Sequence, residues 1–118
     1  MATTVNMTIE QGTDFARVLT INDASGNPID LTGYTFASQA RLNYGDASAA
    51  FAFTLTPRTQ TGSDLGKVDM TLADTVSAAL SLTENTKYKY DVEMDNGSGT
   101  KYRLFQGEIT MTPEVTKT

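Results

Sequence analysis

The chain has 118 residues with no cysteine, histidine or tryptophan, and its formal net charge is −5 at pH 7. Its length predicts one domain, covering residues 1–118. Without cysteine and histidine, the chain cannot form a disulfide, a zinc or haem site, or a Ser-His-Asp or Cys-His relay from its own side chains. We therefore expect a protein that is not an enzyme, with no catalytic residue, metal or cofactor.

The basic residues give no reason to expect a nucleic-acid partner. Affinity for nucleic acid depends on clustered cations, because counterion release drives the binding. The chain has nine Lys and Arg, and its densest basic cluster is Lys87, Lys89, Lys101 and Arg103. Acidic residues follow within the same segment, beginning at Asp91, so the cluster is locally balanced.

The N-terminal residues do not resemble a secretory signal, because no charged stretch precedes an apolar one. No apolar run approaches the roughly 18–20 residues that span a bilayer. We expect synthesis in a cytoplasm, a soluble product and no membrane partner.

Apolar and polar residues alternate in about seven short segments, a pattern that is typical of β-strands. In chain order the predicted strands are 5–10, 15–21, 34–42, 51–56, 68–72, 87–94 and 102–111. The second segment is apolar on both faces apart from Arg17, which predicts a central strand. The pair Asn96-Gly97 predicts a type I′ hairpin turn, and Gly107 would permit a bulge.

One segment, at about 73–80, has helical spacing instead. Leu72, Val76 and Leu80 recur every four residues, and Asp74 or Thr75 could cap the helix. A helix of about two turns is not stable alone, so we expect it to cover one end of the sheet as a plug. The whole pattern predicts an all-β fold, an immunoglobulin-like antiparallel β-sandwich of about seven strands with one short helix.

The terminal extensions, at about 1–4 and 113–118, are rich in threonine. Two interpretations stay open for them. They are frayed ends, or they extend along a neighbouring molecule and add a strand to its sheet edge.

Three groups of residues are candidate binding or catalytic sites. Residues 23–30 place oxygen-bearing side chains around Gly26, but carboxylates in register and a bidentate Glu are missing, so a plain turn is favoured over a calcium loop. The carboxylates Asp91, Glu93 and Asp95 share one strand face, with about 6.6 Å between successive members. That spacing suits glycosidase chemistry, yet cross-strand pairing with the nearby basic cluster is the better interpretation.

Five tyrosines form the third group. Tyr34, Tyr88 and Tyr90 fall on apolar strand faces and are predicted to be core residues. Tyr44 and Tyr102 are freer, so they could form a sugar-stacking platform or part of a protein interface.

The order of several segments resembles a known family. They are 8–15 (TIEQGTDF), 28–34 (PIDLTGY) with 39–41 (QAR), 66–72 (GKVDMTL), 90–93 (YDVE) and 105–116 (FQGEITMTPEVT). Together they resemble the small virion structural proteins of tailed bacteriophages and are similar to the N-terminal module of phage baseplate upper proteins. The resemblance covers nearly the whole chain.

The resemblance implies a non-enzymatic, immunoglobulin-like part of a virion, present in symmetric copies bound to capsid, neck or baseplate proteins. In longer relatives a receptor-binding or fibre domain follows this module. Because the sequence ends with the module, we expect a capsid decoration or cement protein, or a neck or baseplate adaptor. The alternative is a carbohydrate-binding module that uses its exposed tyrosines.

Overall fold

The computed structural model describes residues 3–116, in which eight strands, one short helix and one 3₁₀ turn form. The strands are β1 Thr3–Thr4, β2 Met7–Glu10, β3 Phe15–Thr20, β4 Thr35–Arg41, β5 Phe51–Pro57, β6 Lys67–Leu72, β7 Thr86–Asp95 and β8 Lys101–Thr112. The helix α1 is Asp74–Ala78, and the 3₁₀ turn is Gly62–Asp64. The prediction of an all-β, immunoglobulin-like fold with one short helix is confirmed.

Two sheets form the layers, and β5 belongs to both. The larger sheet contains β1, β2, β8, β7, β4 and the first half of β5, where Phe51 and Phe53 pair with Ala40 and Ser38. The smaller sheet contains the second half of β5 with β6 and β3. Because β5 crosses between the layers, the sandwich is joined on one side and ends in two free strand edges on the other.

The core lies between the sheets and is built by the inward side chains of the alternating strands. Its main cluster consists of Met7, Ile9, Ala40, Phe51, Phe53, Met70, Leu72, Tyr88, Tyr90, Val92, Ile109 and Met111. Phe51 contacts Phe53 and Tyr88 edge to face, with ring centroids 5.5 and 5.1 Å apart. Edge-to-face packing is a favourable arrangement of aromatic rings. The alternating apolar residues of β4, β5, β6 and β7 therefore build this core.

The N-terminal strands depart from the predicted antiparallel arrangement. β2 runs parallel to β8, from Met7 opposite Ile109 to Glu10 opposite Thr112, and β1 also pairs with β8 in parallel. Part of the predicted 1–4 extension is thus a strand, while Met1 and Ala2 lie outside the described residues. Alternation shows which side chains point inward but not the direction of the neighbouring strand, so the sequence could not predict this pairing.

The prediction of a central strand at 15–21 is wrong. β3 pairs only with β6 among the described strands and forms one end of the sheet order. Ala16, Val18 and Thr20 point away from the core and are exposed. Apolar residues on both faces of β3 therefore reflect an exposed apolar surface and not burial in the middle of a sheet.

The helix is shorter than predicted, and its start is capped differently. Neither Asp74 nor Thr75 is the N-cap, since Ala73 holds that position without a side-chain hydrogen bond. The backbone N–H of Asp74 instead donates to Asp14 Oδ1, at 2.9 Å. At the other end, the buried amide of Gln11 donates to the carbonyl oxygens of Ser77 and Leu80, at 3.1 and 2.7 Å.

The β7–β8 hairpin forms as predicted, but two of its details differ. Asn96 does not have the positive φ that a type I′ turn requires, so the loop is longer and closes with a bond from Asn96 N–H to Thr100 O. The bulge lies at Leu104, the extra residue between the partners of Val92 and Glu93, and not at Gly107.

Candidate interaction surface

The outer edge of β3 presents unpaired peptide groups. Ile21 N–H donates to the carbonyl oxygen of Gly66, the residue before β6, at 2.8 Å, so this N–H points to the β6 side. Along a strand, the N–H and C=O of one residue point to one side, and those of the next residue point to the other. The backbone N–H and C=O groups of Phe15, Arg17 and Leu19 therefore face β6, and those of Ala16, Val18 and Thr20 face outward, where no described strand pairs with them.

A narrow groove separates this edge from the N-terminal segment and β8. We call it the open seam, and its walls are formed by Val5, Met7, Arg17, Val18, Leu19, Thr20 and Phe105. Its floor is core surface from Met70, Tyr90 and Val92, and its volume is about 180 Å³. In the open seam, the exposed residues of β3 lie next to buried core side chains, since Met70 and Val92 are almost fully buried.

A wider depression of about 930 Å³ continues from the open seam along β8. Its lining includes Ile21, Tyr34, Lys101 and Tyr102. Tyr102 is 47% exposed, whereas Tyr34 is partly buried against the second core cluster of Ile21, Leu31, Val68 and Met94. The free edge of β3 is therefore bordered by concave surface rather than by flat sheet.

Arg17 is the charged residue that lines the open seam. It shares the inward face of β3 with Phe15 and Leu19 and stands opposite Met70, yet it is exposed because the seam is open. Within residues 3–116, Arg17 makes no ion pair or side-chain hydrogen bond that satisfies ordinary geometry. Burial raises the pKa of Tyr90, and the nearby charge of Arg17 partly offsets that rise.

The phenol of Tyr90 fixes the opposite wall of the open seam. Its O–H donates to the carbonyl oxygen of Val5 at 2.6 Å. The N–H of Val5 in turn donates to Gln106 O, at 2.8 Å. The linker between β1 and β2 is thus tied to the core strand β7 and to β8, which keeps the open seam at a defined width.

The charged residues that line the open seam and the adjoining depression have one sign. The residues that line the open seam and the adjoining depression include Arg17, Lys101 and Arg103, and none of them is an aspartate or glutamate. Arg103 is engaged by Asp91, with 3.4 Å between Nε and Oδ2. Arg17 and Lys101 remain as cations at this surface of a chain whose net charge is −5.

The predicted acidic face lies on the opposite, outward side of β7. Asp91, Glu93 and Asp95 alternate there and are partly buried. Burial raises the pKa of Asp91, Glu93 raises it further, and Arg103 and Arg41 act against both. Of the predicted basic cluster, Arg103 forms a salt bridge with an acid. Lys87, Lys89 and Lys101 form none within residues 3–116.

A polar depression of about 560 Å³ covers this outward side. Gln39, Lys89, Asp91 and Glu108 contribute to its lining, and Tyr44 stands at it with 84% of its surface exposed. Tyr102 lines the other depression, beside β3. The two exposed tyrosines therefore belong to separate concave surfaces and do not form one platform.

The calcium-like segment is a hydrogen-bonded turn. Asp23 Oδ1 accepts from the N–H groups of Ser25 and Asn27, at 2.9 and 3.0 Å. Asp30 Oδ1 accepts from the hydroxyl and N–H of Thr32, which lowers the pKa of Asp30. Across residues 3–116, no three His, Cys, Asp or Glu side chains are placed to hold a metal ion.

Sequence reasoning did not identify the open seam, although one signal was present. Arg17 is the only charged residue in the otherwise apolar run of β3. A charge that points inward is characteristic of edge strands, where it discourages uncontrolled pairing. The position of Arg17 was thus evidence for an edge rather than an exception within a central strand.

Comparisons with known proteins place the chain in no family. No protein-family model and no curated protein matches it. A 2,6-sialyltransferase of Photobacterium sp. JT-ISH-224 is similar over 96% of this chain and 18% of the enzyme, with 12% identity and a TM-score of 0.35. The chain therefore spans less than a fifth of that enzyme.

Two further solved structures are sodium-channel proteins. A structure of a voltage-gated sodium channel beta subunit is similar over 96% of this chain and 93% of the subunit's chain, with 8% identity and a TM-score of 0.40. The extracellular domain of a beta4 subunit is similar over 98% of this chain and 96% of its own chain, with 10% identity and a TM-score of 0.42. At TM-scores this low, these likenesses support no conclusion about function. Within the described part of the chain, no helix has the length and apolar character needed to cross a membrane.

Proposed function

We propose that the chain is a non-enzymatic structural component of a tailed-phage virion, a small protein-binding module. It acts as a capsid decoration or cement protein, or as a neck or baseplate adaptor, and is present there in symmetric copies. The virion assignment rests on the resemblance of residues 8–116 to phage structural proteins. The protein-binding role rests on the structure, and the free edge of β3 is the observation that supports it.

An edge strand with outward peptide groups is a template for pairing with another chain. β3 offers six residues, Phe15–Thr20, which at about 3.3 Å per residue make an edge of about 20 Å. Val18, near its centre, is 45% exposed. The exposed Val18 adds apolar surface beside the outward N–H and C=O groups, which supports a function in binding.

Quantitative mass spectrometry of purified particles from the phage that encodes the chain tests this proposal. The proposal predicts the chain in a fixed, multiple copy number relative to the major capsid protein, as expected for symmetric assembly. An abundant host cytoplasmic protein, measured in the same preparation, gives the level of contamination. If the chain does not exceed that level, the virion proposal fails.

A carbohydrate-binding module is the second candidate, because Tyr44 is 84% exposed beside a polar depression. Aromatic rings next to polar side chains suit the stacking of a sugar. If this candidate is correct, the chain binds a sugar on a glycan array, and Tyr44→Ala abolishes that binding. Tyr102→Ala leaves the binding intact, since Tyr102 lines another depression. Equal loss in both variants, or no binding, would remove this candidate.

A further inference from the structure

We infer that the free edge of β3 accepts an extended segment of a different protein, in which a carboxylate side chain lies among apolar and small polar residues. The inference rests on the proposed protein-binding role and adds the partner's chemistry. Its three supports are the direction of the peptide groups, the groove beside the edge and the charge at its centre.

The peptide groups determine the form of the partner. Ala16, Val18 and Thr20 direct their N–H and C=O groups outward, because those of the alternate residues face β6. An extended segment satisfies these groups by adding a strand, as in β-augmentation. A helix cannot, since its own backbone hydrogen bonds are internal.

The open seam determines where the partner's side chains go. An added strand beside β3 directs every second side chain inward, over a floor of Met70, Tyr90 and Val92. The volume of about 180 Å³ suits side chains and excludes a folded element. Short apolar side chains at these positions would close the surface that is left open between β3 and Val5.

Arg17 determines the charge of the partner. Its side chain shares the inward face of β3, and Lys101 adds a second cation in the adjoining depression. No acid lines either surface. A carboxylate that enters opposite Arg17 therefore meets uncompensated positive charge, and opposite charges across a strand pair are favourable.

The same residue argues against a second copy of this chain as the partner. If β3 paired with β3 of another copy around a two-fold axis, both Arg17 side chains would share one face near the centre of the joined strands. They would lie opposite each other or at adjacent positions, and like charges placed so are destabilising. Arg17 thus selects a foreign acidic strand over self-pairing.

The test uses two synthetic eight-residue peptides, in which valine and threonine alternate around one central residue. That residue is glutamate in one peptide and lysine in the other. We expect amide NMR shifts at Ala16, Val18 and Thr20 when the glutamate peptide is added to the full chain. We expect the lysine peptide to bind about 2- to 5-fold more weakly, which corresponds to one cross-strand charge pair.

Three variants locate the binding and its charge preference. Val18→Pro removes an outward N–H that β6 does not use, so it should abolish binding while the amide protons of Val68 and Met70 keep their protection from hydrogen exchange. Arg17→Glu should reverse the preference between the peptides. Lys87→Glu makes the same charge change on an exposed position of β7 and should leave the preference intact.

Several results would overturn the inference: shifts confined to other strands, equal binding of both peptides, or an unchanged preference in Arg17→Glu. Concentration-dependent shifts at β3 without peptide would show that a second copy occupies the edge, and would also overturn it. The reversal in Arg17→Glu stays informative even if Val18→Pro does not fold. If the chain is detected in particles but binds neither peptide, only the inference about the partner is refuted. If the chain binds the peptide but is missing from particles, only the virion assignment is refuted.

Discussion

Gly107 is a residue of β8 that the N-terminal segment approaches closely. A methyl group there would collide with the backbone carbonyl oxygen of Val5 and would lie 2.8 Å from Asn6 Oδ1. The approach allows Val5 N–H to reach Gln106 O at 2.8 Å, and Glu108 N–H to reach Asn6 Oδ1 at 3.0 Å. Gly107 therefore serves the attachment of the segment that forms one wall of the open seam.

We predict that Gly107→Ala lowers the free energy of unfolding by about 1–3 kcal/mol, because it forces overpacking at this contact. Urea unfolding measures the change. Gly45→Ala is the matched control, since a methyl group there meets no atom within 4 Å, and it should change the free energy little. Equal effects in the two variants would contradict the proposed contact.

Asp91 gives a pH-dependent prediction. Burial, followed by Glu93, raises the pKa of Asp91 above the ordinary value of 3.8, despite Arg103 and Arg41. The folded state then binds this proton more tightly than the unfolded state does, so stability falls as pH rises from the unfolded pKa through the folded one. At neutral pH the ionised Asp91 is a cost to the fold.

Asp91→Asn should therefore raise the melting temperature at pH 7, and the gain should disappear below about pH 3.8, the ordinary pKa. Thermal unfolding across pH 3–8 measures this. Glu84→Gln removes one negative charge from an exposed position and controls for net charge. If Asp91→Asn lowers the melting temperature at pH 7, the ion pair between Asp91 and Arg103 stabilises the fold by more than the burial of Asp91 destabilises it.

At the scale of the elements, α1 depends on a contact distant in sequence. Within α1, Asp74 Oδ1 accepts from the N–H of Thr75, while the N–H of Asp74 itself donates to Asp14, which lies 60 residues earlier. The alanine-rich segment predicted a helix, but local sequence could not show that the cap comes from the loop between β2 and β3. Local cap rules fail wherever tertiary structure supplies the acceptor.

We predict that Asp14→Ala destabilises the protein by about 0.5–2 kcal/mol, the usual cost of losing a helix cap. Asp14→Asn keeps an acceptor oxygen at the same place and should retain most of the stability. Urea unfolding of the two variants measures the difference. If both lose the same stability, the side-chain charge and not the hydrogen bond to Asp74 is what matters.

The strands differ in how well the sequence predicts them. In β7, polar and apolar residues alternate strictly, and Tyr88, Tyr90, Val92 and Met94 are buried as predicted. In β3, Ala16 and Val18 make the outward face apolar, so local alternation cannot distinguish an exposed edge from a buried centre. The candidate interaction surface was missed for this reason, because exposed apolar residues look like core residues in the sequence.

At the scale of the whole molecule, the chain closes only part of its sandwich. β5 joins the two sheets on one side, while β3 and the N-terminal strands leave the other side open. Strand pairing over long sequence distances, such as Met7 with Ile109, creates this arrangement. Such pairing depends on the packing of the complete chain, so the all-β class was predictable and the open seam was not.

A cryo-electron microscopy map of the phage particle, at a resolution that shows side chains, is the most direct test of the proposed binding role. We predict symmetric copies of this chain, each with a strand of another virion protein paired along Phe15–Thr20 and a carboxylate next to Arg17. A map in which the chain is missing, or in which this edge faces solvent while other surfaces make the contacts, would contradict it.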